Sequence, residues 1–126
     1  MTKPLDDITV IEIDNWMAAP SAGAILADLG AKVIKIEPLS GDPMRGMGRP
    51  AKIEGDIKDY DFQFDVDNRG KQSIQLDLTK DDALEVVKKL CAKSEVFMCN
   101  LLAKRQEKFG LDPMSLSKVN PRIVHA

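Results

Sequence analysis

The chain has 126 residues, 44% hydrophobic and 30% charged, which suits one globular domain burying roughly two-thirds of its unfolded surface. Eighteen basic against 20 acidic residues give a net charge of −2 without a basic block. That excludes a general nucleic-acid or membrane-surface binder, though not a local basic pocket.

No apolar run approaches the ~18 residues that span a bilayer. Cys91 and Cys99 lie in no C-x-x-C pair and near no histidine, and the start of the chain is polar. The expectation is a reduced, cytoplasmic setting, with both cysteines acting as small buried hydrophobes.

Ile8, Val10, Ile11 and Ile13 form a β-branched run without helical period and predict a buried strand. Pro20 suits the first turn of a helix. Ala22, Ile25, Leu26 and Leu29 follow at helical spacing as one apolar face, and Gly30 supplies the left-handed stop. Val33, Ile34 and Ile36 predict a second strand, so the unit is strand–helix–strand with a parallel pair. This is the opening of a nucleotide-binding α/β domain, a Rossmann-like parallel sheet with flanking helices. Residues 38–67, broken by glycines and prolines, predict a long irregular excursion.

Lys71–Leu78 alternates polar and apolar residues as a half-buried strand. Thr79 is the expected N-cap of the next helix, with Asp81 and Asp82 in its first turn. Ala83, Leu84, Val87, Leu90 and Cys91 line its core face. A fourth strand over Glu95–Asn100, short helices over 103–108 and 113–119 joined through Gly110, and a fifth strand over Arg122–Ala126 complete the order. A strand at the very end suggests the N-terminal piece of a longer protein.

Four groups of residues are candidates for chemistry. Glu37 ends the second strand where an acid would hold the ribose of a dinucleotide, but the G-x-G-x-x-G turn is absent. The other reading of Glu37 is a solvated strand-end charge. Asn68-Arg69-Gly70-Lys71-Gln72-Ser73 could turn two cations toward an anion, or be a solvated turn. Asn100 with Lys104, Arg105 and Lys108 sits at a strand carboxyl end and suits a phosphate; the alternative is a solvated helix face balanced by Glu107. Trp16 and Met17 either pack on a ligand's apolar arm or plug the helix top. His125 is expected to pack at the strand end, and no carboxylate pair or metal cluster stands out.

In order, these pieces resemble the N-terminal region of the class III CoA-transferases, a family that also includes acyl-CoA racemases. The resemblance is carried by Leu26-Ala-Asp-Leu-Gly-Ala-Lys-Val-Ile-Lys-Ile-Glu37, Gly41-Asp-Pro-Met-Arg45, Asn68–Ser73, Leu76-Asp-Leu78, Val96–Asn100, Glu107-Lys-Phe-Gly110 and Asn120-Pro-Arg-Ile-Val124. It implies a CoA thioester and a carboxylic acid as ligands, no metal, and a homodimer in the full-length protein. By position it puts CoA contacts on Met17, Ala18, Leu76, Thr79, Asn100, Leu101 and Lys108. Ala19-Pro20 stands where the family usually has Gly-Pro, Pro38 where a base is sometimes found, Leu101 for Phe and Lys108 for Arg. A lysine cannot form a bidentate phosphate fork.

The family's catalytic aspartate, or the racemases' His and Asp, is implied to lie beyond Ala126, so the chain alone is expected to lack catalysis. The expected parent activity is CoA transfer between carboxylic acids. Racemisation of an acyl-CoA is the enzymatic alternative, and a non-catalytic CoA-binding or interaction fragment the alternative of another class.

Overall fold

The computed structural model describes residues 2–47 and 61–126. In chain order these form β1 Thr9–Ile13, α1 Ala18–Asp28, β2 Lys32–Glu37, α2 Phe62–Asn68, β3 Gln72–Gln75, α3 Asp81–Cys91, β4 Val96–Cys99, α4 Ala103–Phe109, α5 Pro113–Val119 and β5 Val124–His125. The strands pair in parallel, in the order β3-β2-β1-β4-β5. This is the expected α/β sheet. The chain steps outward from β1 to β3, then returns to the other flank of β1 at β4. At such a reversal the connections leave in opposite directions and open a crevice at the strand carboxyl ends.

Register explains how one sheet serves two purposes. Parallel neighbours share a face, and successive residues alternate faces. Ile11 aligns with Ile34 and Phe97. With Ile13, Ile36, Val87, Cys91, Leu111 and Leu116 they make the larger apolar core, under α3 and α5. Each aliphatic or aromatic side chain fully buried there contributes roughly 1.5–3 kcal/mol. The opposite face begins apolar, with Val10 beside Val33 and Val96, then turns polar where Glu12 aligns with Lys35.

α1 covers this second face, but not with the predicted stripe. Pro20, Gly23 and Ala24 are buried, while Ile25 and Leu29 stay 54% and 42% exposed. The reason is close approach. A Cβ on Gly23 would lie 2.0 Å from Glu12 Oε2 and 3.0 Å from Lys71 Nζ, so the helix must present its small residues to the charged half of the sheet. Gly30 ends the helix at φ 109°, in the left-handed region that its position required.

Four further expectations change. Residues 62–67 of the predicted irregular excursion belong to α2, and residues 48–60 of it lie outside the described residues. α2 is fixed by neighbours more than by its own pattern. Asp61 caps it through Phe64 N and also accepts from Gly46 N. Ser21 Oγ donates to Asp67 at 2.5 Å, and the Arg45 guanidinium lies 3.9 Å from the Phe64 ring centre.

β3 is a short edge strand with all four residues exposed; only Leu76 and Leu78, beyond its end, join the core. The N-cap of α3 is Lys80, because Thr79 is drawn back to Asp77, whose carboxylate accepts from Thr79 N and Oγ1 at 3.0 and 2.7 Å. β5 is limited to two residues. Cys91 is buried and Cys99 half-buried. Among the described residues no helix is long and apolar enough to cross a membrane.

The close approach at Gly23 is testable. Gly23→Ala is expected to lower stability by about 2 kcal/mol, as overpacking does. Urea unfolding should show a reduced midpoint; an unchanged midpoint would mean that α1 can ride up from the sheet at no cost.

Candidate functional site

A cleft of about 390 Å³ opens at the carboxyl ends of the strands. Ile13, Asp14 and Asn15 line it from β1, and Ile36 and Pro38–Ser40 from β2 and the loop after it. Leu76–Thr79 follow from the end of β3, with Leu101, Arg105 and Phe109 from β4 and α4. A neighbouring hollow of about 240 Å³ is bounded by Asn15, Trp16, Asn100, Leu101, Leu102 and Arg105. Arg105 therefore stands between the two, and no ion pair or side-chain hydrogen bond occupies its guanidinium among the described residues.

The turn between the cavities is tightly held. Asn15 N donates to Asn100 Oδ1 at 3.2 Å and Asn100 Nδ2 donates to Asn15 O at 2.8 Å. Trp16, at φ 72°, takes a backbone conformation costly for a bulky residue, about 1–3 kcal/mol. The paired asparagines on one side and the Trp16 N–H to Asp42 Oδ1 contact of 3.4 Å on the other retain it.

Behind the cleft lies a buried group of charges. Lys35 Nζ is 3.1 Å from Glu12 Oε1, 2.9 Å from Asp14 Oδ1 and 3.1 Å from Asp42 Oδ2, and it also donates to Asp14 O at 2.9 Å. Lys71 Nζ donates to Glu12 Oε1 and Pro20 O, each at 2.7 Å, and to Asn68 Oδ1 at 3.1 Å. Burial works against the charged form of Lys35, but Asp14 and Glu12 outweigh it and raise its pKa. For Lys71 burial prevails over Glu12 and the pKa falls.

Beside them Glu37 takes Arg45 Nε and Nη2 at 2.7 and 2.6 Å, Ser73 Oγ at 2.5 Å and Asp42 N at 2.9 Å. Burial pushes its pKa up, yet these four donors together bring it down to about 2.

Two sequence expectations are thereby corrected. Glu37 is neither a ribose ligand nor a solvated charge; it is 1% exposed and fastens the loop after β2. Arg69 and Lys71 do not share an anion. Arg69 Nε and Nη2 reach Asp28 at 3.1 and 2.6 Å, while Lys71 turns inward to Glu12, because Gly70 at φ 74° sends the two side chains different ways.

Of the predicted CoA contacts, Leu76, Thr79 and Leu101 line the cleft, and Asn100 and Leu101 line the hollow. Met17 is the exposed N-cap of α1, with Ala18 exposed beside it, and neither borders a cavity described here. Lys108 is exposed on α4 outside both, as is Lys104. His125 packs on Phe97 with ring centres 5.2 Å apart, and its Nε2 is 3.1 Å from Leu111 O.

The reading of the sequence missed Glu12, Asp14, Lys35 and Asp42. The signal was present. Glu12 and Lys35 are in phase with Val10 and Val33, so they point into a covered face, where a charge must find a partner.

A family model described as CoA-transferase family III matches residues 5–126. The chain belongs to CoA-transferase family III. It is 34% identical to the cinnamoyl-CoA:phenyllactate CoA-transferase of Clostridium sporogenes, over 99% of the chain and 30% of that protein. With the succinate–glutarate CoA-transferase of Agrobacterium fabrum it shares 37% identity, over 97% of the chain and 31% of that protein. A crystal structure of a CAIB/BAIF family protein from Brucella suis superposes with a TM-score of 0.88 at 36% identity, covering 99% of the chain and 33% of that protein. This family III chain thus spans about a third of the length of the relatives it matches.

The Glu37 clasp predicts an acid limb of stability. A carboxyl whose folded pKa is depressed contributes above its unfolded value and loses that contribution as pH falls through the folded one. Unfolding free energy is therefore expected to drop between about pH 4.5 and pH 2. In Glu37→Gln this limb should flatten at lower overall stability; an unchanged slope in the variant would assign it to other groups.

Proposed function

We propose that this chain forms the CoA-binding edge of a CoA-transferase that moves CoA between carboxylic acids. The observation that carries the reading is the cleft at the topological reversal. Leu76, Thr79 and Leu101, assigned to CoA from the sequence, meet there beside Arg105, unpaired among the described residues. The chemistry of the lining suits such a ligand. Leu39, Leu76, Leu78 and Phe109 give apolar walls for an adenine or a pantetheine arm, and Arg105 offers a planar fork to phosphate.

The carboxyl groups at the cleft are turned toward protein partners. Asp77 accepts from Thr79, and the Asp14 carboxyl is buried against Lys35. Neither is presented as a free nucleophile, so in this reading the covalent carboxylate chemistry falls to another part of the whole protein. The acyl donor and acceptor belong to that part as well. The proposed assembly is a homodimer in the cytoplasm.

Calorimetry with CoA tests the assignment. The chain is expected to bind CoA, and Arg105→Ala to weaken binding about tenfold, the scale of a hydrogen bond to a charged group. If Lys108 holds the 3′-phosphate, Lys108→Ala weakens CoA more than dephospho-CoA; equal losses remove that role. No binding by a chain that melts cooperatively would refute the CoA reading.

A further inference from the structure

We propose that Asp14 retains its proton in the folded protein and is a specificity-determining residue of the cleft, keeping the wall behind an anionic ligand electrically neutral. This inference rests on the CoA reading for its ligand, but not for its proton.

The charge count comes first. The buried cluster holds two ammonium groups, Lys35 and Lys71, against three carboxyls, Glu12, Asp14 and Asp42. Fully ionised it carries one surplus negative charge in a region closed to water. One proton on a carboxyl removes it. The Glu37–Arg45 pair next to it is already balanced.

Hydrogen bonding says where the proton sits. Glu12 Oε2, Asp14 Oδ2 and Asp42 Oδ2 are buried and accept no hydrogen bond among the described residues, but Asp42 Oδ2 has the Lys35 ammonium 3.1 Å away. A buried acceptor without a donor is costly. The Asp14 and Glu12 carboxyls lie within hydrogen-bonding reach of each other, so a proton on Asp14 directed at Glu12 gives the pair the donor it lacks. Lys35 cannot take that role, since its N–H groups are directed at Asp14 Oδ1, Asp14 O and Glu12 Oε1.

The surroundings agree. Asp14 faces Glu12 on its own strand, Lys35 from β2 and Asp42 from the loop after it. Lys71 comes from the entry to β3 and the half-buried Cys99 from β4. Across the cleft stands Arg105. α1 adds no titratable group there, because its single acid, Asp28, pairs with Arg69. Burial, then the hydrogen bond to Glu12 and its charge, raise the Asp14 carboxyl to about 8 despite Lys35.

The consequence is a cleft whose backing charge depends on pH. With the proton in place, an anion drawn to Arg105 meets a neutral wall. Without it, a negative charge in a poorly screened region opposes the same anion. The stability sign is opposite to that of Glu37. A carboxyl with a raised folded pKa contributes fully below its unfolded value of 3.8 and loses that contribution as pH rises to about 8.

A carboxyl-carbon NMR titration of the free chain, paired with CoA calorimetry across pH, tests both halves. Expected is an Asp14 midpoint near pH 8, its signal missing in Asp14→Asn. CoA affinity should fall about threefold or more between roughly pH 7 and pH 9 in the unaltered chain, the size of one screened charge at ~10 Å, and stay flat in Asp14→Asn. A midpoint in the ordinary carboxylate range overturns the proton. Affinity that is flat with pH in the unaltered chain overturns its effect on the ligand. Failure of CoA to bind at any pH overturns the reading of the cleft, and the titration still decides the proton. Should Asp14→Asn not fold, the titration and pH profile of the unaltered chain decide by themselves.

Discussion

The Lys35 ammonium, buried among Glu12, Asp14 and Asp42, is the interaction on which the site depends. It joins two neighbouring strands, the turn after β1 and the loop after β2. Those last two segments are walls of the cleft. Removing such charges from water costs several kcal/mol each, and the attraction offsets this only where hydrogen bonding is nearly complete. Here the donors are all placed: Lys35 donates to Glu12 and Asp14, Lys71 spends its donors on Glu12, Pro20 and Asn68, and Glu37 is filled by Arg45, Ser73 and the Asp42 amide. The acceptors outnumber them, and one oxygen each of Glu12, Asp14 and Asp42 has no donor among the described residues, a deficit that the proton on Asp14 reduces. The arrangement acts less as added stability than as a set of fixed distances between loops that would otherwise be independent.

The two faces of the sheet divide the work. The α3 and α5 face is an apolar core and supplies the burial. The α1 face exchanges half of that core for charge, which α1 can cover only because Gly23 carries no side chain. The first turn, Asn15-Trp16-Met17, then needs no glycine to cradle a pyrophosphate. Its geometry is set by Asn100 and Asp42, with Trp16 held at φ 72°. The cleft beside it has apolar walls and the Arg105 guanidinium, which is unpaired among the described residues.

Much of the fold was legible because its strands are β-branched runs and its main helices carry periodic apolar residues, as in Val10–Ile13, Val33–Ile36 and the face of α3 that carries Ala83, Val87 and Cys91. α2 was hidden because Phe62, Phe64 and Val66 alternate like a strand, and Asp61, Ser21 and Arg45 hold it from outside. The face of α1 was misjudged for a related reason. Periodicity ranks Ile25 and Leu29 as core, whereas the spacing over Glu12 admits only Gly23 and Ala24. In the site, Leu76, Thr79 and Leu101 were assigned through family likeness, and the charges behind them were overlooked. An isolated Glu or Lys reads as surface until the register of Glu12 on Lys35 is known.

If the loops fixed by Lys35 make the CoA site, the ligand must touch both sides of the cleft. Amide chemical-shift mapping with CoA reads this most directly. The account predicts perturbations at Asn15, Leu39, Leu76–Thr79, Leu101 and Arg105 together. Perturbations confined to the opposite edge of the sheet, at Lys93 and Arg122 around the 250 Å³ hollow there, would contradict it.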